Sequence, residues 1–176
     1  MFKNIISGLL ITSTLLVCSC GPKDNTDPIP DYPTFSNYSG TDNNAQPTTS
    51  ADTDDWNLND LWVGNVVSVI PYISDYGNPC ETDQVSSVSP AYPNPTLGTF
   101  ILTFNIDQNS SVAYRVVNQD FDILASGDTL KTTSNPLNIN IDISNQVVSN
   151  ELVRVYYAII KNNTCSFKGH GDIKIQ

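Results

Sequence analysis

Four sets of residues in this chain could do chemistry: a single histidine, four cysteines, an alternating run of aspartate and asparagine, and two neighbouring carboxylates. A Ser-His-Asp site would have to use His170, which stands in Lys168-Gly-His-Gly171. No Gly-x-Ser-x-Gly elbow exists to supply a nucleophile, so His170 reads as an exposed turn residue just before the last strand. Asp55, Asn57 and Asn59 have the spacing of the first ligands of a calcium loop. That loop needs Gly where Asp60 stands and Glu where Val66 stands, and the reading fails. Asp120 and Asp122 flank Phe121 as an acid and base for a glycosidic bond could, but on an expected turn they serve to solvate it. There is no Gly-rich phosphate loop, no His-Glu-x-x-His and, beyond the N-terminus, no Cys-x-x-Cys. No enzyme, metal or cofactor is expected.

The cysteines divide in two. Cys18 and Cys20 close a stretch that begins Met1-Phe-Lys3 and continues as an apolar run from Ile5 to Val17. A basic start, an apolar core of about 13 residues and a small-residue site form a secretory signal, too short to cross a bilayer. Val17-Cys-Ser-Cys20 resembles the bacterial lipobox, in which cleavage precedes a cysteine that then carries lipid. The resemblance implies removal of residues 1–19 and acylation of Cys20, with more than one chain for stable anchoring. Cys80 and Cys165 remain. In an exported chain such a pair is expected to form a disulfide, the alternative being two separate thiols. With His170 the sole histidine, a metal site there lacks ligands.

A net charge of −10 argues against nucleic acid, whose phosphates demand Lys and Arg, and against peripheral binding to anionic lipid. Between Cys20 and Asp60 eight aspartates face one lysine, so most of the excess sits in that segment. Residues 21–55 are rich in Asp, Asn, Thr, Ser and Pro and show no periodicity. They are expected to form a flexible tether, unable to bury enough apolar surface to offset the entropy of ordering. Tyr32, Phe35 and Tyr38 punctuate it, either as plain spacer or as a docking motif.

From Leu61 the pattern becomes that of strands. Leu61–Ile70 carries Trp62, Val63, Val66, Val67, Val69 and Ile70; Phe100, Leu102, Phe104 and Ile106 alternate, as do Val112, Tyr114 and Val116. Leu137 to Ile143 alternates without a break, the period of a strand with one buried face. Leu152 to Ile160 is apolar on both faces except at Arg154 and is expected to be central, while Ile173 and Ile175 make a short last strand. Turn signals lie at Pro93–Pro95 with Gly98, Asp107–Asn109, Ser126-Gly127-Asp128 and Asn162-Asn163. The expected plan is a signal peptide over 1–19, a lipidated cysteine and acidic linker over 20–60, and an all-β domain over 61–176. Its fold class is an antiparallel immunoglobulin-like β-sandwich preceded by a disordered tether.

Ser89-Pro-Ala-Tyr-Pro-Asn-Pro-Thr-Leu-Gly-Thr-Phe100 resembles the opening of the C-terminal sorting domains carried by type IX secretion cargo in Bacteroidetes. Later blocks are similar too: Val112–Val117, Asn138–Ser144, Leu152–Ile160 and the closing Asp172-Ile-Lys-Ile-Gln176. The resemblance covers 85–176 and implies a small sandwich opened by the turn Tyr92, Pro93, Asn94, Pro95 and Gly98. Two prolines there fix φ and withhold N–H donors, and Gly98 lets the chain turn into its first core strand. The chain departs from the family in three places. Asn118–Asp122 lacks the usual turn glycine, Arg154-Val-Tyr156 stands where a glycine precedes the aromatic, and no large cargo precedes the domain.

Two shorter resemblances bear on the surface. Asp128-Thr129-Leu130 is similar to an O-glycosylation sequon of the same phylum, which implies an accessible Thr129. Lys23-Asp24 with Asp27 resembles the acidic export signals that follow lipidated cysteines there. They imply an outer-membrane lipoprotein at the cell surface, the periplasmic face being the alternative. The expected function is then non-catalytic: envelope assembly, secretion or partner binding, with the membrane reached through lipid and an envelope or secretion-machinery protein as partner. The alternative is a carbohydrate- or protein-binding adhesin with Trp62 or Tyr156 as an aromatic platform. A hydrolase built on His170 has the least support.

Overall fold

The computed structural model describes residues 33–58, 60, 62, 66, 80, 86–131, 135–161 and 165–176, without the side chains of Thr129 and Cys165. Seven strands run through these residues: β1 (Ser87–Tyr92), β2 (Thr99–Asn105), β3 (Ser110–Val117), β4 (Ile123–Lys131), β5 (Leu137–Asp142), β6 (Leu152–Lys161) and β7 (Cys165–Lys174). They form two antiparallel sheets ordered β1-β2-β5 and β4-β3-β6-β7. This is the expected all-β sandwich. Its strand order is that of immunoglobulin-like folds, with the fourth strand paired in the sheet of the third.

Alternating side chains of both sheets make the core. Phe100, Leu102 and Phe104 of β2 meet Val112, Tyr114 and Val116 of β3 and Val153, Val155, Tyr157 and Ile159 of β6. The other face of the larger sheet is covered as well. Ala113 and Val117 of β3, and Tyr156, Ala158 and Ile160 of β6, pack with Phe35, Val66 and Phe121 in a second cluster. Burial on both faces explains why β3 and β6 lack an exposed side, as the apolar run from Leu152 led one to expect.

Several local readings change. Of the 61–70 stretch only Trp62 and Val66 are described, neither of them in a strand, and the strand expected there otherwise lies outside the described residues. Ser126-Gly127-Asp128 lies inside β4, and the last strand is ten residues long because Lys168-Gly-His-Gly171 lies inside β7. These glycines make room rather than turns. A Cβ on Gly127 would strike the Tyr114 ring, one on Gly169 the Asn57 carbonyl, and one on Gly171 the Trp56 ring. Gly98 does turn the chain, at φ 104°, and its carbonyl accepts the Ile143 N–H at 2.8 Å.

The largest correction concerns the tether. Residues 33–58 are a strap packed on the sandwich, with Phe35, Ser39, Thr41, Asp55 and Trp56 all buried. Composition misled because two aromatic rings, placed on nonlocal partners, provide the apolar burial that the polar residues cannot. Trp56 joins the main core and stacks on Tyr157, with centroids 6.0 Å apart and planes 6° from parallel. Phe35 leans on Phe121 at 6.0 Å and covers the Arg154 guanidinium at 4.4 Å. Trp56 and Phe121 both take left-handed backbone, φ 57° and 63°. Such a conformation costs on the order of 1–3 kcal/mol outside glycine and persists where burial of the ring over-determines it. At Phe121 it fills the turn that lacks a glycine, with Asn118 Oδ1 accepting the N–H groups of Asp120 and Asp122.

Candidate functional site

β7 is an edge strand, and an open edge offers unpaired N–H and C=O groups to any passing chain. Here each outward-facing residue of β7 from Ser166 to Lys174 has at least one of its groups closed. Cys80 donates its N–H to Ser166 O at 3.3 Å, Asp60 to Lys168 O at 3.0 Å and Trp56 to His170 O at 2.7 Å. The Asp172 N–H goes to Asp55 Oδ1 at 3.0 Å and the Lys174 N–H to Asn94 Oδ1 at 2.9 Å. Thr96 then completes the row by donating to Lys174 O at 2.9 Å. No single partner strand does this. Three short pieces of chain do: 55–60, Cys80 and 94–96.

The family-like turn has its physical role here. The Tyr92–Pro93 and Asn94–Pro95 peptides are cis, and Asn94 between them is fully buried. Its backbone exchanges two bonds with Thr41, N–H to O at 3.0 Å and O from N–H at 2.7 Å. Its side-chain amide donates to Ser39 O and Asp172 O, both at 2.9 Å. Tyr92, Pro93 and Pro95 flank it half-buried, so the motif is a clamp joining strap, turn and β7.

Beside the clamp lies a row of charges. Arg154 binds Asp172 through both nitrogens of its fork, at 2.6 and 2.7 Å, on adjacent strands and nearly out of reach of solvent. Burial pushes the Asp172 carboxyl up, against the pull of Arg154. Asp55 accepts the N–H groups of Ser39 and Asp172 at 3.1 and 3.0 Å. Burial, then the neighbouring Asp172, push its carboxyl up to about 7. His170 is not the exposed turn residue expected: it sits in β7, largely covered, with Nδ1 on the Asp60 carboxylate. Asp55 and Asp60 are thereby fasteners of the strap, which ends the calcium reading of that stretch. Among the described residues no group of three or more His, Cys, Asp or Glu could hold a metal ion.

Other expected site residues disperse. Asp120 and Asp122 are exposed on the β3–β4 turn, serving its hydrogen bonds. Tyr156 is buried and Trp62 packs edge-on against it at 5.8 Å, so neither presents the platform expected of them. Thr129 falls in β4 rather than in a turn, its side chain outside the described residues, as Cys20 and Tyr32 are entirely. Compared with protein-family models, curated proteins and solved structures, the chain matches none. Sequence reading missed Asp55, Trp56 and the Arg154–Asp172 pair as a group. The one local signal was the placement of Arg154 in an otherwise apolar strand, since a charge there needs a partner.

Cys80 is disulfide-bonded, and the hydrogen bond from its N–H to Ser166 O sets it beside the first residue of β7, Cys165. A Cys80–Cys165 bridge would close a loop of about 85 residues and stabilise mainly by restricting the unfolded chain. Reduction is expected to lower stability by about 2–4 kcal/mol. Non-reducing peptide mapping checks the pairing and urea unfolding with and without reductant checks the size; two labelled free thiols, or coincident unfolding curves, would contradict it.

Proposed function

We propose that this chain is a non-catalytic exported lipoprotein, lipidated on Cys20 and presenting a sorting-domain-like β-sandwich for envelope assembly, secretion or partner binding. The use made of its acid–base side chains carries the reading. Arg154, Asp172, Asp55, His170 and Asp60 sit together, as catalytic groups do, yet each is engaged in pinning the strap or pairing β6 to β7. The lipobox and the Tyr92–Gly98 turn support the export half, and the buried Asn94 gives that turn a structural reason. With the strap packed from Pro33, twelve residues separate it from Cys20, a reach of at most about 45 Å from the membrane. The sandwich therefore stays within reach of envelope partners.

Cys20→Ala is expected to abolish acylation and to leave precursor or soluble protein. Fatty-acid labelling and membrane fractionation check it, and an unchanged membrane fraction would overturn the anchor. Affinity capture of the intact lipoprotein from its own envelope then tests for the partner. One observation favours the adhesin alternative: an open cleft of about 440 Å³ between the two legs of the strap, lined by Asn37, Tyr38, Thr49 and Asp52 among others. An aromatic beside amide, hydroxyl and carboxyl groups suits a sugar. Glycan-array binding that Tyr38→Ala removes would decide for it.

A further inference from the structure

We propose that the lobe of the strap between Ser39 and Asp55 is a pH-sensitive latch, closed on the end of β7 in mildly acidic surroundings and loosened in alkaline ones. The geometry makes Asp55 the point where three pieces of chain meet. Its two oxygens take the N–H of Ser39 at the start of the lobe and of Asp172 in β7, while Asp55 itself ends the lobe. Within the lobe, Asp52 N–H bonds Ser39 Oγ at 3.0 Å and Thr48 N–H bonds Gly40 O at 2.9 Å, so it moves as a unit. Outside Asp55 the lobe is held at Ser39, whose carbonyl accepts the Asn94 side-chain amide at 2.9 Å, and at Thr41, by two backbone bonds to Asn94 and by its hydroxyl on Ala91 O at 2.5 Å.

The charge around this joint is one-sided. Asp52 and Asp54 face Asp55 from the strap, Asp172 and His170 from β7, and Arg154 from β6, with Asp60 just beyond on His170. Arg154 is already committed to Asp172 through both nitrogens. Among the described residues a second negative charge at Asp55 therefore has no cation of its own. Asp52 and Asp54 also share a side-chain hydrogen bond, which two ionised carboxylates cannot make. Only the Asp52–Asp54 contact needs a proton; the N–H groups of Ser39 and Asp172 serve the charged form of Asp55 as well, and it is burial beside Asp172 that penalises the charge there. The Asp55 carboxyl, held up near 7 when the lobe is shut and returning to its ordinary range when open, favours closure below that range and loses the benefit as pH rises to about 7. Trp56 and Phe35 stay buried throughout, so opening bares the Asp172 amide and the Asn94–Thr41 junction without unfolding the sandwich.

Amide exchange on the full-length protein at pH 5 and pH 8, corrected for intrinsic rates, tests the latch. Protection of the Ser39 and Asp172 amides is expected to fall by up to about a hundredfold between the two, while that of Val155 in β6 holds. Asp55→Asn is expected to flatten the dependence. Equal protection at both pH values would overturn the proposal, as would a dependence that survives in Asp55→Asn. A parallel fall at Val155 would overturn it too, since Asp55 would then govern the whole fold. Should the variant not fold, the wild-type profile decides alone.

Discussion

Exchanging Asn94 for alanine is expected to destabilise the protein by roughly 3–6 kcal/mol. The side chain closes three backbone groups, Ser39 O and Asp172 O in the buried clamp and the part-buried Lys174 N–H, each at 2.9 Å. Leaving a buried donor or acceptor without a partner costs about 1–3 kcal/mol apiece, and alanine orphans all three. A domain of this size is stable by about 5–15 kcal/mol, so the variant sits near the edge of folding. Asn94→Asp is no rescue, because it keeps the acceptor for Lys174 but aims a carboxylate at two carbonyl oxygens. Urea unfolding followed by tryptophan fluorescence measures the effect. A loss below about 1 kcal/mol would mean that the Tyr92–Gly98 turn is not the clamp described.

Arg154→Met is the second large loss, expected at about 3–5 kcal/mol. Methionine fills the space under Phe35 but leaves Asp172 buried without its counter-ion, beside a second carboxyl at Asp55. Asp172 then takes a proton to stay inside. Its folded-state pKa rises above the unfolded one, so the penalty is mild below the ordinary carboxylate range and grows as pH rises toward neutrality. The pair itself is weak evidence of net stabilisation, since desolvation offsets much of the attraction. Hence the double variant Arg154→Met with Asp172→Leu should recover most of the loss. Equal stability of the two variants at pH 7 would show that the destabilisation comes from lost packing over Phe35 and not from an unpaired charge.

These two side chains also mark where reading the sequence stopped. Strand after strand in the sandwich was legible: Phe100 to Ile106 and Leu137 to Ile143 alternate because a pleated strand with one buried face has no other choice, and Val112, Tyr114 and Val116 mark the face that β3 turns to the main core. Leu152 to Ile160 was legible as central because both its faces are apolar. The turn at Pro93–Gly98 was legible because proline and glycine act on their own backbone, without reference to distant residues.

What composition and periodicity could not carry was any residue whose role depends on a partner far along the chain. Gly127, Gly169 and Gly171 looked like turns, since a glycine's local meaning is freedom; the rings of Tyr114 and Trp56 and the Asn57 carbonyl occupy the space a Cβ would take, so they are strand residues. His170 looked exposed until Asp60 covered it, 110 positions away in the chain. Residues 33–58 looked unable to order themselves, and by their own burial they are. They are ordered by what the sandwich lends them: a slot for Trp56, a ledge for Phe35, and the unpaired edge of β7, whose buried amides need acceptors and find them in Asp55 and Asn94. Periodicity determined the sheets because burial of a strand face is written residue by residue. The strap belongs to the tertiary structure alone, because hydrogen-bonding demand at a sheet edge arises only once the sheet exists.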